Sequence, residues 1–472
     1  MRGLRRGSAL RAGTWALGVA VVASYAAPAR AGGLYFSDRG VRPLGRGGAF
    51  VAGADDLGAI WYNPAGIVDA GSSVLVDAAW LNFTSDYTNQ TQVIDASGTV
   101  TTVTAPTTHG STPFLPIPTI VGGWAVNDKL ELAIGAFAPY TAIASYPEDA
   151  ASRYSLVSLN GSALVITGIW AAYKPVEWLR FGAGFEALVG TFSSSVVFNA
   201  NPADRLVGAP EAPQYDALSQ LNVGPIFAPS GNAGLTIVPD PHVRIGLSGQ
   251  LPFVISAPAS INVRLPSSPL FDSAAQDGND ATVKFTLPGI LRAGVEVRPI
   301  TALRVELTYV RELWSEQQSI QIIPSNVYID GVTGFPQHFK VSPITIPRNY
   351  MDSSSVRLGG EISFVIGGYQ EDIRAGISYD ESAVPSAYLA PLTVDLNKIT
   401  PSIGGSLHIG KNWRFDAVYA HVFGFSTTVN PAIASVPLIN PVQGNPTQTQ
   451  AINGGTYSAR ADVLGVGLNY KF

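Results

Sequence analysis

The sequence lacks cysteine entirely and, beyond its N-terminus, lacks any long apolar run. Without cysteine there is neither a disulfide framework nor a thiolate metal site. No stretch after the N-terminal region approaches the roughly 18 consecutive apolar residues that indicate a transmembrane helix. Charge is also scarce, at 13% of residues, whereas glycine occurs 49 times and aromatic residues reach 10%. With the export signal described next, this composition leaves two classes: a soluble all-β protein or an outer-membrane β-barrel.

The first 31 residues have the features of a secretory signal peptide. Arginines at positions 2, 5, 6 and 11 precede the uncharged apolar stretch 16–27, and Ala29-Arg30-Ala31 is a small-x-small cleavage site. An N-terminal anchor helix is the alternative. Removal after residue 31 takes away five arginines, which leaves 24 basic against 34 acidic residues and a net charge of −10 instead of −5. An acidic exported chain does not favour nucleic-acid binding.

Alternation of residue type predicts β-strands. Between Leu303 and Tyr309 the odd positions are apolar and the even ones are Arg304, Glu306 and Thr308. The C-terminal stretch repeats the pattern, with Leu464, Val466, Leu468, Tyr470 and Phe472 on one face. A period of two residues places one apolar and one more polar face on each strand.

Short and long connections alternate along the chain, which favours a transmembrane barrel over a soluble sandwich. The six short polar turns are 126–128, 174–177, 239–242, 298–301, 367–371 and 410–412. The seven longer Pro-, Ser-, Asn- and Thr-rich connections are 84–117, 139–157, 200–221, 264–280, 324–351, 381–396 and 426–456.

These connections delimit about fourteen antiparallel strands over residues 72–472. Unpaired backbone groups are not tolerated in hydrocarbon, so the last strand, 457–472, is expected to close the barrel against the first, near 72–83.

The positions of the tryptophans indicate that the short turns lie on the periplasmic side of the membrane. Trp124, Trp170, Trp178 and Trp413 each fall near a predicted short turn, as an aromatic girdle on the periplasmic side requires. Trp314 falls near the opposite end of its strand. The chain ends on Phe472, resembling the C-terminal signal read by barrel-assembly machinery. We therefore expect a monomeric barrel in the outer membrane of a Gram-negative bacterium, surrounded by lipid.

About forty residues, 32–71, precede the first strand and are long enough to fold inside the barrel as a hatch. Within them the run GRGGAFVAGADDLGAIWYNPAG, residues 45–66, resembles the N-terminal hatch of the FadL family of outer-membrane transporters of long-chain fatty acids, whose relatives import aromatic hydrocarbons. The resemblance rests most on Asn63, Pro64 and Ala65 after an acidic patch, Asp55 and Asp56. We expect these residues to form the gate, with Asn63-Pro64 turning the chain towards the first strand and the two carboxylates bonded to hatch N–H groups or to barrel arginines.

Three later stretches are also similar to the family, so the resemblance extends from the hatch to the C-terminal strand. They are Arg153-Tyr154 with 169–174 and 178–184, then 306–314, then 373–380 with Pro385. One departure follows, because Lys398 stands where the family's pattern has arginine. That difference leaves the ligand role of this loop open.

The resemblance implies that a ligand enters through outer loops, occupies a pocket in the barrel and leaves sideways through an opening made by a kink in the third strand. That strand is 130–139 here, and Gly135 and Pro139 are its candidates for weak pairing. Alternation makes Arg292 and Arg304 face inwards with Glu296 and Glu306, so either arginine is a candidate for a ligand carboxylate, although mutual pairing is the better explanation. Leu34, Tyr35 and Phe36 are further candidates to line a pocket.

No catalytic or metal-binding pattern and no cofactor is predicted. The histidines, at 109, 242, 338, 408 and 421, show no ligand spacing, and Asp55-Asp56 alone is a weak cation site. Passive transport of hydrophobic compounds, foremost long-chain fatty acids, is the preferred function. A porin for small polar solutes, import of aromatic hydrocarbons, and a lipid-acting barrel enzyme are the alternatives, although no Ser-His pair for the last is evident.

Overall fold

The structure is a computed structural model that describes residues 38–94, 97–112, 116–138, 144–201, 211–440 and 450–472. The predicted signal peptide, residues 34–36 and Pro139 therefore lie outside the described residues.

The first half of the chain forms ten strands: β1 (Ser73–Ile94), β2 (Val100–Thr104), β3 (Thr108–Ser111), β4 (Pro116–Asn127), β5 (Leu130–Phe137), β6 (Ala163–Val176), β7 (Leu179–Asn199), β8 (Asp216–Asp240), β9 (Val243–Gln250) and β10 (Phe253–Arg264). The second half adds β11 (Ala275–Asp277), β12 (Asp280–Leu287), β13 (Ile290–Ile300), β14 (Leu303–Glu312), β15 (Ser319–Pro324), β16 (Tyr328–Asp330), β17 (Phe339–Lys340), β18 (Ile344–Pro347), β19 (Ser353–Ile366), β20 (Tyr369–Asp380), β21 (Lys398–Ile409), β22 (Trp413–Gly424), β23 (Thr427–Val429) and β24 (Gly455–Lys471).

Helices are few and short in the described part of the chain. Helix α1 (Val41–Gly45) and helix α2 (Ala59–Tyr62) precede the first strand, followed by a 3-10 helix over Pro64–Asp69. Further 3-10 turns lie at Pro213–Tyr215, Pro269–Phe271, Trp314–Glu316, Ser386–Tyr388 and Pro391–Thr393. Among the described residues, none of the helices has the length and apolar character needed to cross a membrane.

The strands close into a fourteen-stranded antiparallel barrel, which confirms the predicted fold class. Some barrel strands consist of two consecutive segments, such as β9 with β10 and β12 with β13. We count each pair as one strand, since both segments of a pair lie beside the same neighbouring barrel strand. The first and last strands pair from Ser73 with Lys471 to Asn89 with Gly455. This closing pair leaves no sheet edge in hydrocarbon.

Each wall strand alternates between lumen and exterior. In β14, Arg304, Glu306 and Thr308 are buried, whereas Leu307 and Tyr309 are exposed on the lipid side. The polar face is thereby kept inside and the apolar face covers the outside, as the sequence pattern predicts.

The predicted girdle is correct for three tryptophans and wrong for Trp170. Trp124, Trp178 and Trp413 are 56%, 53% and 41% exposed on the outer wall, but Trp170 is 3% exposed and faces the lumen. There its indole Nε1 donates to Asn232 Oδ1 at 3.1 Å. Gly184, opposite Trp170 on β7, makes room for the ring, because a Cβ at that position would collide with the indole. Proximity to a turn indicates depth along a strand but not which face a residue occupies.

The two ends of the barrel differ in their connections. At the short-turn end, all six predicted turns join consecutive strands. At the long-loop end, β1, β7 and β8 contain 22, 21 and 25 residues, about twice what a bilayer requires. The strands therefore extend past the membrane and support folded loops, including a separate three-stranded sheet of β11, β16 and β17.

Candidate functional site

The N-terminal segment, residues 38–71, fills the lumen. Phe50, Leu57 and Trp61 are at most 2% exposed, and they are among the largest fully buried side chains of the described residues. Close approach to the wall needs glycine at Gly359 of β19, since a Cβ there would collide with the carbonyl of Arg46. The segment therefore packs against a wall whose surface fits its backbone.

Buried ion pairs attach the N-terminal segment to the wall, and Asp55 and Asp56 are at their centre. Asp55 accepts from Arg304 Nη1 of β14 and from Arg42 Nη1, each at 2.6 Å. Asp56 accepts from Arg414 Nη2 of β22 at 2.8 Å and from the backbone N–H of Gly58 at 2.9 Å. The interpretation of these carboxylates as partners of barrel arginines and of the segment's own N–H groups agrees with this geometry.

A second group of contacts surrounds Glu306 on β14. Its carboxylate accepts from the backbone N–H groups of Val51, Ala52 and Gly53 at 2.6–2.9 Å, and from Arg46 Nη2 at 3.2 Å. Three consecutive N–H groups on one carboxylate fix the direction of the segment as well as its charge. Because removing one member of a buried pair costs about 3–5 kcal/mol, these contacts hold the segment firmly in the lumen.

The two arginines predicted to meet a ligand carboxylate both contact the N-terminal segment. Arg304 donates to Asp55, to Glu296 Oε2 at 2.7 Å and to the carbonyl of Gly53 at 2.6 Å. The guanidinium of Arg292 lies 4.7 Å from the ring centroid of Trp61. Their role towards a ligand stays a prediction, and the expected pairing of Arg304 with Glu296 is present.

The Asn63-Pro64-Ala65 triplet joins the N-terminal segment to the first strand. Asn63 Nδ2 donates to the Val51 carbonyl at 2.8 Å and to Thr236 Oγ1 at 3.0 Å, while its Oδ1 accepts from the Ala65 N–H at 3.2 Å. Asn63 thus caps the 3-10 helix that Pro64 begins, and it also fastens the turn to the wall.

The third barrel strand, β5, contacts the N-terminal segment at its end. Gly135 lies in a regular ladder, paired with Val121 and Gly168. Two residues later, Phe137 is buried against Trp61 and Trp170, with ring centroids 5.5 and 6.5 Å away. The aromatic contact between Trp61 and Phe137 thus joins the N-terminal segment to the end of β5, the strand in which the lateral opening is predicted.

An apolar cavity lies at the long-loop end, outside the N-terminal segment, with a volume of about 50 Å³. Among the described residues its lining contains no charged side chain and one polar residue, Ser219. The residues come from the ends of barrel strands and from the connections above them: Phe198, Ala200, Ala217, Ser219, Ile261, Val263, Leu265, Pro266, Phe271, Val327, Ile329, Val332, Phe335, Phe339, Val341 and Ile344.

A fully buried guanidinium stands four residues beyond the cavity-lining Ile344. Arg348 is 1% exposed, and its Nε and Nη2 have no hydrogen-bond partner among the described residues. Burial lowers the pKa of Arg348, because the charged form loses its hydration. Among the described residues, two of the three guanidinium nitrogens of Arg348 therefore lack a partner, which costs free energy in a buried cation.

The geometry described so far is matched by known proteins. A family profile described as Outer membrane protein transport protein (OMPP1/FadL/TodX) matches residues 19–472. The chain belongs to this family. It is therefore an outer-membrane transport protein for hydrophobic compounds, in a family of channels rather than enzymes.

Similar proteins support the same assignment for the FadL/TodX fold. Outer membrane protein NMB0088 of Neisseria meningitidis serogroup B is 25% identical over 98% of this chain and 99% of its own length. The crystal structure of a Pseudomonas aeruginosa FadL homologue has a TM-score of 0.70 at 14% identity, covering 93% of this chain and 100% of that one. The Pseudomonas putida toluene transporter TodX gives 0.63 at 14% identity, covering 92% and 99%.

Two features of this FadL/TodX protein were not predicted from its sequence. The cavity is built partly from the connections 264–280 and 324–351, which look like polar loops although they contain Phe335, Phe339 and Val341. Arg348 gives no signal by itself, because one arginine in a long connection is ordinarily solvated. A cluster of aromatic and branched residues inside a long loop is the signal that could have revealed the cavity.

Proposed function

We propose that this protein carries long-chain fatty acids from the outer cavity through the barrel and sideways into the bilayer. The observation that carries the proposal is the apolar cavity at the long-loop end. Pockets for small ligands are usually about 300–1,000 Å³, so a long-chain ligand would have to widen the observed cavity of 50 Å³ on entry.

Energetics favour sideways release over release into water. Burial of one CH₂ is worth about 0.8 kcal/mol, so transferring a sixteen-carbon chain from hydrocarbon to water costs roughly 12 kcal/mol. Passage from an apolar pocket into the bilayer avoids that cost. The end of the third strand, where Phe137 touches Trp61, is the place we assign to the exit.

Arg348 is the feature that favours a fatty acid over an uncharged hydrocarbon. An apolar cavity accepts either kind of molecule, but of the two only the fatty acid has a carboxylate to pair with a buried guanidinium whose Nε and Nη2 lack partners among the described residues. The alkyl chain would occupy the cavity while the carboxylate binds Arg348 as the ligand moves inwards.

Uptake of labelled oleate by cells that lack their own transporter tests this function. We expect uptake with the wild-type chain and a loss of at least tenfold with Arg348→Gln. Arg311→Gln is the matched control, because Arg311 is a partly exposed arginine near the same end, bonded to Ser354. Normal oleate uptake by the Arg348→Gln variant would refute the role of Arg348.

Import of aromatic hydrocarbons is the second candidate, favoured because the lining residues that the structure describes carry no charge. The solved structure of CymD, titled a monoaromatic hydrocarbon channel, has a TM-score of 0.55 at 17% identity, covering 92% of this chain and 97% of that one. Uptake of toluene without uptake of oleate would assign this substrate class instead. Uptake of neither compound would contradict the proposed function as a whole.

A further inference from the structure

The sheet of β11, β16 and β17 forms a cover over the apolar cavity, and its two faces differ in chemistry. Ile329 pairs with Phe339 and with Gln276, so these three side chains share one face. Ile329 and Phe339 line the cavity. Gln276 bonds to the backbone of β10 through the Val263 N–H at 2.8 Å and the Ile261 carbonyl at 2.7 Å. The inner face of the cover therefore packs against the cavity and is hydrogen-bonded to β10 of the barrel.

The outer face brings together three side chains that can bind a metal. Asp277 pairs with Tyr328, and Asp330 follows two residues later on the same face. His338 stacks on Tyr328 with ring centroids 3.9 Å apart, and its Nδ1 lies 3.0 Å from Asp330 Oδ1. One donor atom each from Asp277, Asp330 and His338 lies within 4.8 Å of the other two.

We propose that Asp277, Asp330 and His338 bind a divalent transition-metal ion of the Zn²⁺ class. Carboxylate oxygen and imidazole nitrogen are zinc ligands with bonds of about 2.0–2.2 Å, which places the donors of a tetrahedral site about 3.4 Å apart. The donor atoms here lie within 4.8 Å of one another, so side-chain movement would have to bring them closer to reach that value. Ca²⁺ takes six to eight oxygen ligands, so a site with one nitrogen and two carboxylates favours the softer metal.

The arrangement differs from that of the other histidines in the described part of the chain. His109, His242, His408 and His421 each lie against a single carboxylate: Asp86, Asp240, Asp372 and Asp462 respectively. Only at His338 do two carboxylates converge on the imidazole among the residues described. Asp277 lies 61 positions before His338, so no local spacing in the sequence discloses the group.

A bound ion would join β11 to the β16–β17 hairpin and make the cover over the cavity stiffer. This second part rests on the proposed function, because it predicts slower entry of a hydrophobic ligand when the metal is present. Metal binding itself does not depend on transport.

Titration of ZnCl₂ into the purified, chelator-treated full chain in detergent, followed by calorimetry, tests the site. We expect one saturable site, with affinity reduced more than about tenfold by His338→Gln or by Asp330→Asn. His109→Gln is the matched control, because it removes an exposed histidine that faces one carboxylate. Heat-modifiable migration on gels verifies that each variant is a folded barrel.

Three results would overturn the site: no saturable binding by the wild type, unchanged affinity in His338→Gln, or an equal loss in the His109→Gln control. CaCl₂ binding as tight as ZnCl₂ binding would contradict the metal class. Oleate uptake with and without ZnCl₂ tests the coupling separately: uptake should fall in the wild type and not in His338→Gln. Binding without any change of uptake would refute the coupling alone, whereas absent oleate and toluene uptake would refute the proposed function.

Discussion

At the scale of single residues, Asp55 is a sensitive position in the lumen. Its two closest ion pairs, each 2.6 Å long, are with Arg42 of its own segment and with Arg304 of the wall. A neutral amide in its place would leave both cations under-compensated in a buried environment. Replacing the Asp55 carboxylate by an amide is therefore expected to destabilise both the fold of the segment and its attachment to the wall.

We expect Asp55→Asn to weaken the attachment of the N-terminal segment by about 3–5 kcal/mol, because it removes one partner of buried ion pairs. The measurement is single-channel conductance in planar bilayers, where the variant should open more often than the wild type. Asp240→Asn is the control, since Asp240 is exposed at a short turn. Equal conductance of Asp55→Asn and the wild type would contradict this attachment.

At the scale of elements, the N-terminal segment packs so closely against β19 of the wall that one position there requires glycine. Gly359 and Gly360 are neighbours on β19 but face opposite sides, and only Gly359 faces Arg46 of the segment. Gly359→Ala should push the segment from its seat and raise conductance, whereas Gly360→Ala, whose nearest contacts are ordinary or slightly tight, should not. If both variants conduct alike, the close packing at Gly359 does not hold the segment.

Two properties of the strands could be predicted from the sequence: which face of a strand points inwards, and where the strand ends. The pattern in β14 predicts which side chains face inwards, and the six short turns indicate where strands end, because both signals are local. The partners of Asp55 and Asp56 are of the predicted kind, but Arg304 and Arg414 stand 249 and 358 residues further along. Which arginine meets which carboxylate depends on the register around a closed wall, and that is not a local property. The cover over the cavity escaped prediction because its strands have only two or three residues each.

For the whole molecule, the route of the ligand can be tested because the chain has no cysteine of its own. Ala136 pairs with Thr167 near the end of β5, and Leu132 pairs with Ala171 four residues nearer the short-turn end. We expect an oxidised Ala136→Cys/Thr167→Cys variant to lose oleate uptake and to regain it on reduction, because a disulfide would hold the third strand against the fourth. The oxidised Leu132→Cys/Ala171→Cys variant should remain active. Full uptake by the first oxidised variant would place the exit elsewhere.

The ion pairs between the N-terminal segment and the wall also impose an order on assembly. The segment is made first, but the acidic wall residues that meet Arg42 and Arg46 are Glu296, Glu306 and Glu361, all in the second half of the chain. Contacts so distant in sequence form late, after most of the chain's entropy has been lost. In an incomplete barrel Arg42 and Arg46 would lack these partners, so the N-terminal segment of a chain truncated before β13 should not stay in the lumen. Binding of the N-terminal segment in the lumen would therefore mark completion of the barrel wall.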